Sequence, residues 1–139
     1  MKNSKSIKPP ALQHDDRPLL FSFKYFQSDH PKFRLSAYDA GFMAALLLEI
    51  QRYSQLTVGH FCAISGEDHR HPIYFPQTSE GDGFPGIEPA EDSDLWTDSP
   101  WQFALFKGAH PRQCGWRVHG FIADDTLYIV WLDPLHLLD

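Results

Sequence analysis

Alternation of apolar and polar residues is clearest in the last stretch of the chain, Gly115 to Asp139. Two alternating runs flank the acidic pair Asp124-Asp125, a pattern typical of a β-hairpin. With a two-residue turn, Ala123 lies opposite Thr126, and cross-strand partners share a face. The pattern assigns one face to the core: Trp116, Val118, Gly120, Ile122, Leu127, Ile129 and Trp131. The second face then carries Arg117, His119, Phe121, Tyr128, Val130 and Leu132.

Two further runs predict strands. Leu19 to Phe26 alternates and ends before the breaking sequence Asp29-His30-Pro31. Trp101 to Lys107 also alternates and should lie beside the hairpin. Its core side would hold Trp101, Phe103 and Leu105, and its other side would place Gln102, Ala104 and Phe106 beside Arg117 and His119.

Helical spacing dominates the region between these strands. Apolar residues from Tyr38 to Tyr53 recur at helical intervals and predict a helix over 36–54. Ser36 and Asp39 have the spacing of a capping box at its start. Thr57 should cap a second, shorter helix that ends near residue 64, with His60 exposed in its first turn.

The predicted fold class is therefore α+β, in the order β-α-α-β-β-β. We expect an antiparallel sheet of about four strands with two helices packed on one face. The other face, free of helices, is where polar groups should meet a ligand. Residues 1–18 read as a flexible N-terminal tail, residues 19–139 as a single domain, and residues 76–100 as a long acidic loop within it.

Composition limits the classes of function that the sequence supports. The chain of 139 residues has a net charge of −6, so no broad nucleic-acid-binding surface is indicated and an RNA site would need a local positive pocket. Two cysteines without a motif, and the absence of a signal peptide, predict a cytoplasmic protein without disulfides. The most apolar run, Phe42 to Ile50, is too short to span a membrane.

The second face of the hairpin carries the candidate chemistry. Arg117 and His119 are two residues apart on one pleat, and the hairpin ends near His136. An imidazole can move a proton and a guanidinium can neutralise a developing phosphorane charge. Such a set can cleave RNA without metal or cofactor, because the substrate supplies its own 2′-hydroxyl. The candidate catalytic residues are His119, Arg117, Tyr128 and His136.

Four residues are candidates for substrate binding. Phe121 could stack a base, and Gln102 should share the polar face. Arg70 and His71 belong to a compact polar cluster in which His69 and His71 have the spacing of a metal clip. A metal site needs further ligands, for which His110, His119, Asp133 and His136 are candidates. We therefore expect no metal and assign Arg70 and His71 to the substrate site.

The order of elements, with Arg117 on the penultimate strand, Tyr128 on the last strand and His136 after it, resembles the RelE/YoeB-type mRNA interferase toxins. The resemblance spans roughly residues 19–75 and 101–139. It implies an RNA-cleaving toxin, with RNA on the ribosome as substrate and a cognate antitoxin as protein partner. The sequence therefore favours a small, metal-independent endoribonuclease.

Two alternatives remain open. The first is a non-catalytic interaction or inhibitor protein, associated with a phage or mobile element, that engages a basic partner through the acidic residues 80–98. The second is a metal-dependent hydrolase that uses His69 and His71. A purely structural interpretation is also available, in which Asp133 only caps the turn that ends the hairpin.

Overall fold

The computed structural model describes residues 15–34, 40–63, 70–87, 100–105 and 115–138. The α+β class is confirmed. The helices are α1 (Ala40–Tyr53) and α2 (Val58–Cys62), and a 3₁₀ turn spans Phe75–Gln77. The strands are β1 (Leu20–Ser22), β2 (His71–Pro72), β3 (Pro100–Ala104), β4 (Arg117–Ala123) and β5 (Thr126–Asp133).

The sheet has five strands in the order β1-β5-β4-β3-β2. β1 runs parallel to β5, and the other neighbours are antiparallel. The predicted sheet of about four antiparallel strands is therefore wrong in strand number and in the direction of β1. Alternation along a strand does not specify the direction of its partner when no short turn joins the two. β2 has two residues, too few to show alternation.

The hairpin register follows the prediction from the turn as far as Gly120, which pairs with Ile129. A bulge then shifts the pairing between His119 and Gly120, so that His119 lies opposite Trp131. A Cβ atom on Gly120 would overlap the carbonyl oxygen of Tyr128, so the close approach of β4 and β5 at the bulge requires glycine. Beyond the bulge the prediction is wrong: Trp131 and Leu132 have exchanged faces.

The helices pack on one face of the sheet and enclose what we call the first core. Its helix side includes Phe42, Leu46 and Tyr53 of α1 and Phe61 of α2. Its sheet side consists of Trp101, Phe103, Leu105, Val118, Ile122, Leu127, Ile129 and Leu132. The prediction for Trp101, Phe103 and Leu105 is confirmed. The proposed caps Ser36 and Asp39 and the strand residue Phe106 lie outside the described residues.

Both ends of α2 have identifiable partners. Thr57 Oγ1 accepts a hydrogen bond from the backbone N–H of His60 at 3.0 Å, and His60 is exposed, as predicted. The backbone carbonyls of Asp15 and Arg17 accept from Gly59 and Val58 at 2.8 and 2.9 Å. Residues 15–17, placed in the N-terminal tail by the sequence, therefore contact the start of this helix.

The opposite face of the sheet carries a second core. It consists of Phe33, Ile73, Phe75, Phe84, Ile87, Phe121, Val130, Trp131 and Leu138. The expectation that this face is open to a ligand is wrong, because two irregular segments, residues 25–33 and 73–87, cover it. Burying aromatic side chains away from water stabilises the fold. An irregular segment can exclude water from them just as a helix can.

Polar contacts hold the cover in place. Gln27 donates its backbone N–H to Val130 O at 3.0 Å and accepts from Trp131 Nε1 at 2.8 Å. Lys32 Nζ contacts Glu80 Oε2 at 2.6 Å and Ser79 Oγ at 2.9 Å, joining the two covering segments. In the described ranges, no helix has the length and apolar character needed to cross a membrane.

Candidate functional site

His119 and Asp133 form a hydrogen-bonded pair beneath the second core. Their side chains have no solvent exposure, and His119 Nε2 lies 2.9 Å from Asp133 Oδ2. The imidazole ring centroid is 5.9 Å from that of Phe33 and 6.1 Å from that of Trp131. A substrate cannot contact this imidazole unless the aromatic cover first opens.

Asp133 also closes the turn that follows β5. Its Oδ1 accepts the backbone N–H of Leu137 at 2.7 Å, and its Oδ2 accepts that of Leu138 at 3.1 Å. Burial acts to raise the pKa of Asp133, but the hydrogen bonds from His119, Leu137 and Leu138 outweigh it and hold the pKa below its usual range. The carboxylate therefore ties two strands and a turn together, the structural role that the sequence left open.

The other three catalytic candidates are dispersed along the hairpin. Arg117 is buried at the start of β4, and its Nη1 donates to Trp116 O at 3.2 Å. Tyr128 is half-buried, with ring centroids 5.1 Å from Phe121 and 5.2 Å from Tyr25. His136 is half-buried with a φ of 57°. The predicted set thus does not converge on an open cleft.

Two of the four substrate-binding candidates, Phe121 and Arg70, are buried and contact other parts of the fold. Phe121 is fully buried in the second core. Arg70 turns inward, where its Nε donates to Phe61 O at 2.8 Å and its Nη2 to Ala63 O at 3.1 Å. The guanidinium also lies 5.5 Å from the ring centroid of Tyr53. A cation at the carbonyl end of α2 complements the helix dipole, so Arg70 stabilises the fold there.

The remaining two, His71 and Gln102, meet at a surface pocket of about 240 Å³. They are partners across β2 and β3, as Gln102 and His119 are across β3 and β4. His71 Nδ1 donates to Pro72 O at 2.8 Å, which leaves Nε2 to accept from Gln102 Nε2 at 3.0 Å. The pocket is further lined by Pro72, Ile73, Tyr74, Gln77, Thr78 and Leu138.

A second depression of about 260 Å³ adjoins this pocket. Both are lined by Ile73 and Tyr74, and Tyr74 is 65% exposed. The second depression is completed by Phe75, Pro76, Gly81, Asp82 and Pro100. We call the two depressions together the Tyr74 surface. Sequence reasoning missed Tyr74, and the available signal was an apolar run placed between Pro72 and Pro76.

Within the described positions, no group of three or more His, Cys, Asp or Glu side chains is arranged to hold a metal ion. His69 and His110, two of the possible ligands, lie outside those positions.

Comparisons with known proteins identify no relative: no family model, curated protein or solved structure matches the chain. The resemblance to RelE/YoeB-type toxins therefore stays a prediction. A functional assignment therefore has to start from the geometry of the Tyr74 surface and of the His119–Asp133 pair.

Proposed function

We propose that the chain is a non-catalytic interaction protein that engages a basic partner through the Tyr74 surface. The observation that carries the proposal is a largely exposed tyrosine that lines two depressions of similar volume. Tyrosine is enriched at interface hot spots, because its ring supplies a large contact area at a small cost in conformational entropy.

Charge indicates the kind of partner. Asp82 lines one depression, and residues 76–100 contain no lysine or arginine. The acidic residues of this stretch that follow Asp82 are Glu88, Glu91, Asp92, Asp94 and Asp98, which lie outside the described residues. The same stretch ends at Pro100, which lines that depression as well. A basic segment would be attracted to this region and an acidic one repelled.

The partner is expected to dock through side chains rather than by adding a strand to the sheet. β2 is the edge strand beside this surface. Pro72 has no N–H to offer, and its carbonyl accepts from His71 Nδ1. An edge with so few groups to offer is a poor template for strand addition.

The ribonuclease hypothesis competes with this proposal and makes a different demand. It needs an imidazole that a 2′-hydroxyl can reach, whereas His119 has no exposed surface. RNA cleavage by the purified protein that is unchanged by a chelator and lost in His119→Ala would favour the ribonuclease, provided the variant remains folded.

A direct binding measurement tests the proposal. Fluorescent octalysine should bind the wild-type chain, and affinity should fall steeply between about 50 and 300 mM salt. Replacing Glu88, Glu91, Asp92, Asp94 and Asp98 by their amides should weaken binding at least about tenfold, on a loss of 1.4 kcal/mol. Octalysine binding that survives both changes, or no binding at all, would contradict a partner chosen by charge.

A further inference from the structure

We infer that the two depressions of the Tyr74 surface are adjoining subsites for one extended basic segment. One subsite takes a lysine or arginine side chain, and the other takes an uncharged side chain that carries an amide. This inference rests on the proposed function and adds the identity of the side chains that the partner presents.

The depression of about 260 Å³ suits a long cation. Its walls are apolar at Ile73, Phe75, Pro76 and Pro100, and its lining includes one carboxylate, Asp82. Lysine and arginine combine an apolar stem with a charged head, so the stem can cover the proline and phenylalanine surfaces while the head meets Asp82. An apolar side chain would leave the carboxylate without a partner.

The pocket of about 240 Å³ has different chemistry. Its polar lining is Gln102, Gln77, Thr78 and His71, whose Nε2 lies 3.0 Å from Gln102 Nε2. No lysine, arginine, aspartate or glutamate is among the described residues that line it. A phosphate or carboxylate would meet neither lysine nor arginine there, whereas an asparagine or glutamine side chain can exchange hydrogen bonds with these amides.

One extended segment can reach both subsites, because Ile73 and Tyr74 line both of them. Alternate residues of an extended chain point the same way. The partner segment then has a basic residue and an asparagine or glutamine separated by one residue.

Matched peptides and matched variants test the inference. The probes are a repeating Lys-Ala-Asn-Ala peptide, the same peptide with methionine for lysine, and the same peptide with alanine for asparagine. Each substitution should weaken binding to the wild type at least about fivefold, a loss of about 1 kcal/mol. Asp82→Asn should remove the preference for lysine over methionine, and His71→Ala should reduce the preference for asparagine.

Gly81→Leu should block the cation subsite. Gly81 lines the depression, and a Cβ atom there has no heavy atom within 4 Å, so a larger side chain can be introduced at its edge without a clash at Cβ. Gly115→Leu is the control, because its Cβ is equally unobstructed and Gly115 lines neither depression.

The outcomes separate this inference from the function on which it rests. Octalysine that binds the wild type and is unaffected by Asp82→Asn and Gly81→Leu would overturn the subsites and leave the basic partner in place. Failure of every basic peptide to bind would overturn both. Oligouridine that binds more tightly than the peptides, with the binding lost in Tyr74→Ala, would also overturn both and identify the surface as a site for single-stranded nucleic acid.

Discussion

Both faces of the sheet are covered and bury apolar side chains, but different kinds of structure cover them. On one face, α1 and α2 supply regularly spaced apolar side chains that enclose the first core. On the other, two irregular segments enclose an aromatic core and are fixed by side-chain contacts such as Lys32 to Glu80. The second face also buries a polar pair, His119 and Asp133, whose side chains are fully enclosed.

The difference shows what polar residues on a strand can mean. An arginine and a histidine in alternation suggest an exposed face, because charged and titratable side chains are mostly solvated. Here the buried carboxylate of Asp133 satisfies His119 and two backbone amides at once. The polar pattern therefore marks a buried network, whereas a largely exposed aromatic ring lies elsewhere, at Tyr74.

The largest effect is expected from breaking that network. Asp133→Ala should lower the free energy of unfolding by about 3–5 kcal/mol, the usual cost of removing one partner of a buried pair. Two amides and an imidazole would lose their acceptor together. Urea denaturation followed by circular dichroism measures the change.

Asp16→Ala provides the control for the loss of a carboxylate. Asp16 is exposed, and a surface substitution of this kind should change stability by no more than about 0.5 kcal/mol. Equal, small effects of the two substitutions would mean that the second face is held by apolar packing alone.

Much of the fold followed from periodicity. Alternation correctly placed Trp101, Phe103 and Leu105 in the first core and Gln102 on the face that it shares with His119, because one face of each strand must leave water. It failed at Trp131, because a bulge changes the register by one residue without any signal in the alternation itself. Gly120 was the one visible hint, since glycine within a strand often marks a bulge.

The candidate site was less predictable. His71 and Gln102 do line a pocket together, but the strand pairing that aligns them was not predicted, because β2 has only two residues. Arg70 could not be assigned from sequence, because the carbonyls it contacts belong to α2 and adjoin it only in the folded chain. Tyr74 was missed for a related reason: whether a tyrosine faces solvent depends on the irregular segment around it, which has no period.

A smaller effect is expected at the bulge. Gly120→Ala should cost about 1–3 kcal/mol, the usual range for forcing extra volume into a packed site. The added Cβ would meet the backbone carbonyl of Tyr128, which cannot move without separating β4 from β5. Thermal unfolding measures this loss, with Gly115→Ala as the matched control in open space. A neutral Gly120→Ala would show that the bulge can relax at no cost.

Acid should weaken the contacts that Asp133 makes beneath the second core. The pKa of Asp133 is lowered in the folded protein, so its stabilising contribution is complete above the unfolded value of about 3.9 and is lost as pH falls through the folded value. The free energy of unfolding should therefore decrease below about pH 4. In Asp133→Asn the decrease should be shallower, because that carboxylate is gone. An acid limb of the same slope in Asp133→Asn and wild type would exclude Asp133 as its source.

The rate at which a thiol in the first core is labelled tests whether the two faces open together. Burial raises the pKa of Cys62 to about 12, so in Cys114→Ser its thiol should resist an aromatic disulfide reagent near pH 8 until the chain unfolds.

Phe42→Ala and Phe84→Ala remove rings that are 2% exposed, the first from the first core and the second from the second core. Both should cost about 3–5 kcal/mol. If residues 73–87 can detach while α2 stays packed, Phe42→Ala will accelerate labelling and Phe84→Ala will do so much less. Equal acceleration would mean that the sheet transmits every opening from one face to the other, and the two cores would then be one cooperative unit.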